Sequence, residues 1–78
     1  MKQVTIYSTP TCHFCMLVKD YMKANNIPYT EHDVASDLEK RKEMIDKSGQ
    51  MGVPVMDIEG KIIVGFDENE FAEVVGIK

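Results

Sequence analysis

Seventy-eight residues suffice for one domain spanning 1–78 around a modest core, and 44% apolar with 28% charged residues is ordinary for a globular fold. A formal charge of −4, nine Lys and Arg against thirteen Asp and Glu, argues against nucleic acid as a partner, because a broad footprint needs a basic surface to displace phosphate counterions. The apolar runs are too short to cross a bilayer and the opening MKQVTIYS lacks the features of a secretory leader, so no membrane association and a cytoplasmic location are expected.

Val4-Thr5-Ile6-Tyr7 is β-branched and aromatic and reads as a strand. Pro10 and Thr11 interrupt it, and Thr11 or Cys12 opens a helix. Phe14, Leu17, Val18 and Tyr21 recur there at i, i+3, i+4 and i+7, which predicts one buried stripe ending at Asn25-Asn26. A second strand is expected from Tyr29 to Val34, after Pro28. Ser36 or Asp37 then caps a second helix, with Leu38, Arg41, Met44 and Ile45 facing inward more weakly, and Ser48-Gly49 stops it. On that helix Lys40-Arg41-Lys42 lies between Glu39 and Glu43 and reads as a solvated, charge-paired face.

Two further strands, Val53 to Ile58 and Lys61 to Val64, flank Glu59-Gly60 as a tight hairpin. Gly65-Phe66 leads into a last helix, where Asp67 and Glu70 have capping-box spacing and Phe71, Val74 and Val75 form the apolar side. The order β-α-β-α-β-β-α predicts an α/β fold. A right-handed parallel crossover plus a hairpin makes a four-stranded mixed sheet flanked by three helices.

The chemistry concentrates in "TPTCHFCMLV", where Cys12 and Cys15 stand three apart at a strand-to-helix junction. A permanent disulfide staple is disfavoured, since cytoplasmic thiol buffers keep such pairs reduced and so short a loop constrains the unfolded chain little. Structural zinc wants four ligands, and only Cys12, Cys15, His13 and His32 are available. His13 shares the cysteines' tight turn and His32 lies on a strand, so no metal site is expected within the chain. A cluster shared between two chains stays open.

A redox pair fits better. Cys12 falls at the helix N-terminus, where free N–H groups and the positive end of the dipole favour an anion. Cys15, one turn inside, should stay more protonated. Cys12 then attacks a disulfide and Cys15 resolves the mixed disulfide. His13 either tunes Cys12 or is simply an exposed middle residue. Phe14 packs on the surface beside the site or meets a ligand, and Thr11 donates a hydrogen bond near Cys12 or caps the helix. Val53-Pro54 follows a Gly-containing turn, a place for a cis X-Pro bond that would leave the Val53 N–H and C=O free to pair with an extended substrate. The alternative is Pro54 as ordinary strand-start punctuation.

With "IYSTPTCHFC", "SGQMGVPVMDI" and "VGFDENEF" in place, the chain resembles a glutaredoxin of the thioredoxin-like superfamily over nearly its whole length. It is especially similar to short bacterial glutaredoxin-like proteins and to redoxins that supply ribonucleotide reductase. The resemblance implies a nucleophilic Cys12, a resolving Cys15, a cis Pro54, and a Val53 backbone that holds glutathione or a protein substrate. It implies glutathione as co-substrate, no tightly bound cofactor, disulfide-containing proteins as partners, and a monomer.

The family's glycine pair with a following acid, which binds the γ-glutamyl end of glutathione, corresponds here to Val64-Gly65-Phe66-Asp67-Glu68, with Val64 in place of the first glycine. Asp67 offers a carboxylate to an α-amine, or serves only as a helix cap. Thr9 and Met51 stand where many glutaredoxins carry Lys and Arg. Gln50 is retained, and it and Lys47 are the residues available to compensate. The resemblance thus leaves two reductants, glutathione or a thioredoxin-reductase-type flavoprotein. It also leaves a different class, an iron–sulfur module bridged between two chains.

Overall fold

The computed structural model describes residues 2–77. The chain forms β1 (Val4–Ser8), α1 (His13–Ala24), β2 (Tyr29–Asp33), α2 (Leu38–Ser48), β3 (Val55–Ile58), β4 (Lys61–Val64) and α3 (Glu68–Val75). The sheet order is β2-β1-β3-β4. β1 pairs parallel with β2 and antiparallel with β3, and β3 with β4 antiparallel. This is the expected mixed sheet with three helices.

Alternation along the strands divides the interior. Val4 and Ile6 of β1, with Met56, Ile58 and Ile63, meet Val18 and Met22 of α1 and Phe71 and Val75 of α3. Tyr7, Val34 and Val55 meet Met44 of α2 in a smaller second core. Tyr7 is entirely buried. Its hydroxyl donates to Glu43 and accepts from Lys47 Nζ at 3.1 Å.

Local chemistry sets the ends of the elements. Asp37 caps α2 by accepting the Lys40 N–H at 3.1 Å, and Gly49 closes it at φ 75°, where a side chain would be strained. Glu59 and Gly60 both have positive φ, 49° and 98°, as a two-residue turn matched to strand twist requires. Asp57 Oδ1 holds that turn through the Gly60 N–H at 2.8 Å. Asp67 caps α3 through the N–H groups of Asn69 and Glu70, at 3.0 and 3.3 Å, which is the Asp67 half of the expected capping box.

Four expectations need correction. The buried face of α1 is Cys15, Val18 and Met22, one position on from the predicted stripe, and Phe14 is 59% exposed with Leu17 also exposed. Leu38, the first residue of α2, is not inward-facing but 70% exposed, and Met44 alone is fully buried on that helix. β3 begins at Val55 rather than Val53, since Pro54 has no N–H to add to a ladder. β2 ends at Asp33, although the Val34 N–H still reaches Ser8 O at 2.9 Å.

Candidate functional site

The register places three loops at one end of the sheet. β1 runs out through Ser8 into Thr9-Pro10-Thr11-Cys12. Its partner Tyr7↔Val55 puts Pro54 beside that exit, and Val55↔Val64 puts Gly65 beyond it. A hydrogen bond from the Gly65 N–H to Pro54 O, 2.9 Å, ties the second and third loops together. Gly65 has φ 78°, a conformation glycine takes without strain.

Cys12 is the N-cap of α1. Its backbone is extended, and its Sγ accepts the Cys15 N–H at 3.1 Å, the role that a serine or aspartate oxygen usually plays. The Cys12 N–H closes the preceding turn onto Thr9 O at 3.3 Å. No acidic side chain lies in the first turn, so the positive end of the helix is left unneutralised. Thr11, the other candidate cap, is exposed in the turn outside the helix.

Both cysteines are free thiols, and their surroundings differ. Cys12 is half-buried, whereas Cys15 is fully buried beneath it. Burial first, then a hydrogen bond with Cys12, pushes the Cys15 thiol up to about 12, while a backbone hydrogen bond from Thr9 and the charge of Lys19 pull the other way. One cysteine, partly exposed, stands at the helix N-terminus and the other is held as a thiol one turn away. His13 and Phe14, between them, are exposed and pack edge-to-face with ring centres 5.8 Å apart.

The Val53–Pro54 peptide is cis, as the sequence led us to expect. Among the described residues, neither the N–H nor the C=O of Val53 is paired, while its side chain packs on the second core. Gln50 is exposed in the turn after α2, where its N–H and C=O are both engaged by the Ser48 hydroxyl. Phe66 is partly buried and packs its ring against the core, 5.8 Å from Tyr21 and 6.1 Å from Phe71. Asp67 uses Oδ1 for its cap. Among the described residues, no three His, Cys, Asp or Glu side chains converge as metal ligands, and no helix is long and apolar enough to cross a membrane.

Two polar groupings around the site escaped the sequence. Lys47 is engaged with Asp57 at 2.7 Å and with Tyr7, on the sheet face rather than as a free cation near Met51. Lys19 lies four residues after Cys15 and pairs with Glu31 of β2 at 2.8 Å. Helical spacing could have marked Lys19 as a neighbour of Cys15, but nothing in the local sequence marks Glu31 or Asp57.

A family model described as Glutaredoxin matches residues 4–63. A glutaredoxin-like 8.6 kDa protein of the rubredoxin operon of Clostridium pasteurianum is 46% identical over 72 residues, covering 92% of this chain and 96% of that protein. Glutaredoxin 3 of Escherichia coli K12 is 32% identical over 68 residues, covering 87% and 82%. Among solved structures, the thioredoxin-like protein BC3987 superposes with a TM-score of 0.85 at 28% identity, covering 91% of this chain and 97% of that one. The glutaredoxin of Archaeoglobus fulgidus superposes at 0.87, covering 97% and 88%, and at 20% identity it speaks for the fold alone. With a matched model over most of its length, relatives of nearly its own size, and a CxxC pair at the head of α1, this chain belongs to the glutaredoxin family, whose members are small thiol redox proteins of thioredoxin-like fold.

Proposed function

We propose that the protein is a glutathione-linked dithiol–disulfide oxidoreductase that reduces protein disulfides or glutathione mixed disulfides. Cys12 is the nucleophile, Cys15 the resolving thiol, and no tightly bound cofactor takes part. One observation carries this reading: a partly exposed cysteine caps α1 through its sulfur while a buried thiol is held protonated a single turn away. The Cys12 thiolate attacks a substrate disulfide, forming Cys12–S–S–R and releasing the other substrate thiolate, which takes up a proton. Cys15 then displaces R–S⁻ and closes the Cys12–Cys15 disulfide. One glutathione opens the Cys12–Cys15 disulfide and stays bonded to Cys12, and a second attacks that glutathione sulfur, freeing the Cys12 thiolate and leaving with it as glutathione disulfide.

The unpaired Val53 backbone supports glutathione as the co-substrate, since it can take a peptide as an added strand. At the other end of such a peptide, the N-terminus of α3 suits an α-carboxylate, and Asp67 has Oδ2 left for an α-amine. A buckwheat glutaredoxin has been solved in complex with glutathione, and this chain shares its fold at a TM-score of 0.75 and 22% identity.

A second reading rests on Thr9 and Met51, uncharged where a glycyl carboxylate would be met, and favours recharging by a thioredoxin-reductase-type flavoprotein. The rate at which reduced glutathione opens the oxidised Cys12–Cys15 disulfide separates the two, with NADPH and thioredoxin reductase as the parallel arm. Fast opening by glutathione is expected. Reduction only by the flavoprotein would establish the second reading instead.

A further inference from the structure

The resolving step demands something of this site that the cysteines do not supply themselves. Cys15 is completely buried and its thiol is strongly disfavoured as an anion, yet it must give up its proton to attack Cys12. Lys19 lies one turn further along α1, at the i+4 spacing that puts it on the Cys15 side of the helix, and its charge favours the Cys15 anion, though less than the Thr9 backbone does. Lys19 is itself only 22% exposed, and its Nζ is fixed 2.8 Å from Glu31 Oε2 on β2. The same carboxylate oxygen accepts the hydroxyl of Ser8 at 2.8 Å. Ser8 is buried and is the last residue of β1 before the cysteine loop. A cleft of about 400 Å³ behind that loop, lined by Ser8, Thr9, Pro10, Lys19, Glu31 and Asp33, holds this grouping away from the loops at Val53 and Asp67.

Resting on the dithiol reading above, we infer that Lys19 is a positioning residue for the second half-reaction, its anchored ammonium stabilising the charge that develops on Cys15 as the mixed disulfide is resolved. In that step the Cys15 sulfur bonds to Cys12 Sγ and the bond from Cys12 to the substrate sulfur breaks. The electron pair leaves on the substrate sulfur, which takes up the proton lost from Cys15. Cys15 is oxidised and the substrate sulfur reduced, with no other reactant.

Glu31 is not the proton acceptor. Hydrogen bonds from Lys19 and Ser8 hold its carboxyl below the usual range, which makes it a poor base and a good anchor. Other groups face this pair, among them the Asp33 carboxylate in the lining of the same cleft. Cys12 opposes the charge on Cys15 and a Thr9 backbone hydrogen bond favours it, while Tyr29 acts on Lys19 and Lys23 on Glu31.

The test follows the reduced full chain mixed with dithiodipyridine, a neutral disulfide whose released thiopyridone absorbs light. The first equivalent released reports attack by Cys12, and the second reports closure by Cys15. Lys19→Met is expected to slow the second phase on the order of tenfold at neutral pH, and to move its pH profile upward between about pH 6 and pH 9. The first phase stays unchanged and serves as the control for folding. Lys19→Arg, which keeps the charge, restores the second phase. Equal second phases and equal profiles in wild type and Lys19→Met would overturn the role of Lys19 and leave the dithiol reading standing. Absence of any second phase from the wild-type protein would overturn both.

Discussion

The ammonium of Lys47 on α2 lies 2.7 Å from the Asp57 carboxylate on β3. It also donates to the Tyr7 hydroxyl, which in turn donates to Glu43, so four residues from β1, α2 and β3 form one polar clasp over the second core. The Asp57 hydrogen bond is the main reason that the Lys47 ammonium is held charged well beyond its ordinary range.

Lys47→Met removes two donors from that clasp and leaves the partly buried Asp57 without its cation. Lys47 is itself more than a third exposed, so screening reduces the loss. The expected destabilisation is about 1 kcal/mol, read as a lower urea midpoint with an unchanged slope. A variant as stable as wild type would show that water replaces the clasp at no cost.

The same clasp sets the acid side of the stability curve. Lys47 holds the Asp57 carboxyl, and Tyr7 with Lys40 and Lys47 holds the Glu43 carboxyl, below their ordinary values of 3.8 and 4.5. A carboxyl depressed in the folded state adds stability above its unfolded value and loses it as pH falls through the folded one. Stability is therefore expected to decline below about pH 4.5. In Lys47→Met the decline is shallower, which urea midpoints measured across that range will show.

Cys15 governs the alkaline side with the opposite sign. Its thiol rises from 9.0 to about 12 on folding, so its contribution is complete below pH 9.0 and is lost progressively as pH rises towards 12. Reduced protein is expected to lose stability over that interval, and Cys15→Ala to lose less relative to its own value at neutral pH. Parallel declines in the two proteins would assign the loss to other groups, with Tyr7, raised chiefly by burial, the first to examine.

Replacing each sulfur separates the two halves of the exchange. Cys12→Ser is expected to reduce turnover to background on every disulfide substrate. Cys15→Ser keeps single-thiol turnover of glutathione mixed disulfides and fails on protein disulfides that need ring closure. Comparable activity in the two variants would overturn the assignment of roles.

Glutathione use should improve when the absent cations are supplied. Met51 is 61% exposed, so Met51→Arg introduces a guanidinium without disturbing the core. Each of Met51→Arg and Thr9→Lys is expected to speed reduction by glutathione by about fivefold, the scale of one solvent-screened charge contact. Reduction by dithiothreitol, which has no carboxylate, stays constant and isolates the effect.

The order of elements, the three helix ends marked by Asn25, Gly49 and Asp67, and the CxxC at the start of α1 were legible because each is written in neighbouring residues. The phase of α1 was not. Two overlapping stripes run along it, and the large Phe14 and Leu17 outweigh Cys15 and Met22 on any hydrophobic pattern. The stripe that packs on the sheet and α3 is the one carrying Cys15, Val18 and Met22, and Phe14 and Leu17 are left outside beside the reactive loop, where local rules commonly fail at functional sites. The Glu31–Lys19 and Asp57–Lys47 pairs were hidden for a different reason. They join residues 12 and 10 apart across different elements, and the strand pairing that brings them together is itself long-range.

Strand β1 is made first and acquires its second neighbour last, since Val4 waits for Ile58 while Tyr29 is already at hand. A chain emerging from the ribosome therefore presents both cysteines before the platform beneath them is complete. Until β3 has left the exit tunnel, Val18 and Met22, on the same buried face of α1 as Cys15, lack Met56 and Ile58 to pack against. The difference in reactivity between the two cysteines is thus acquired only near the end of translation, and a nascent chain arrested before residue 55 should be alkylated at both positions alike.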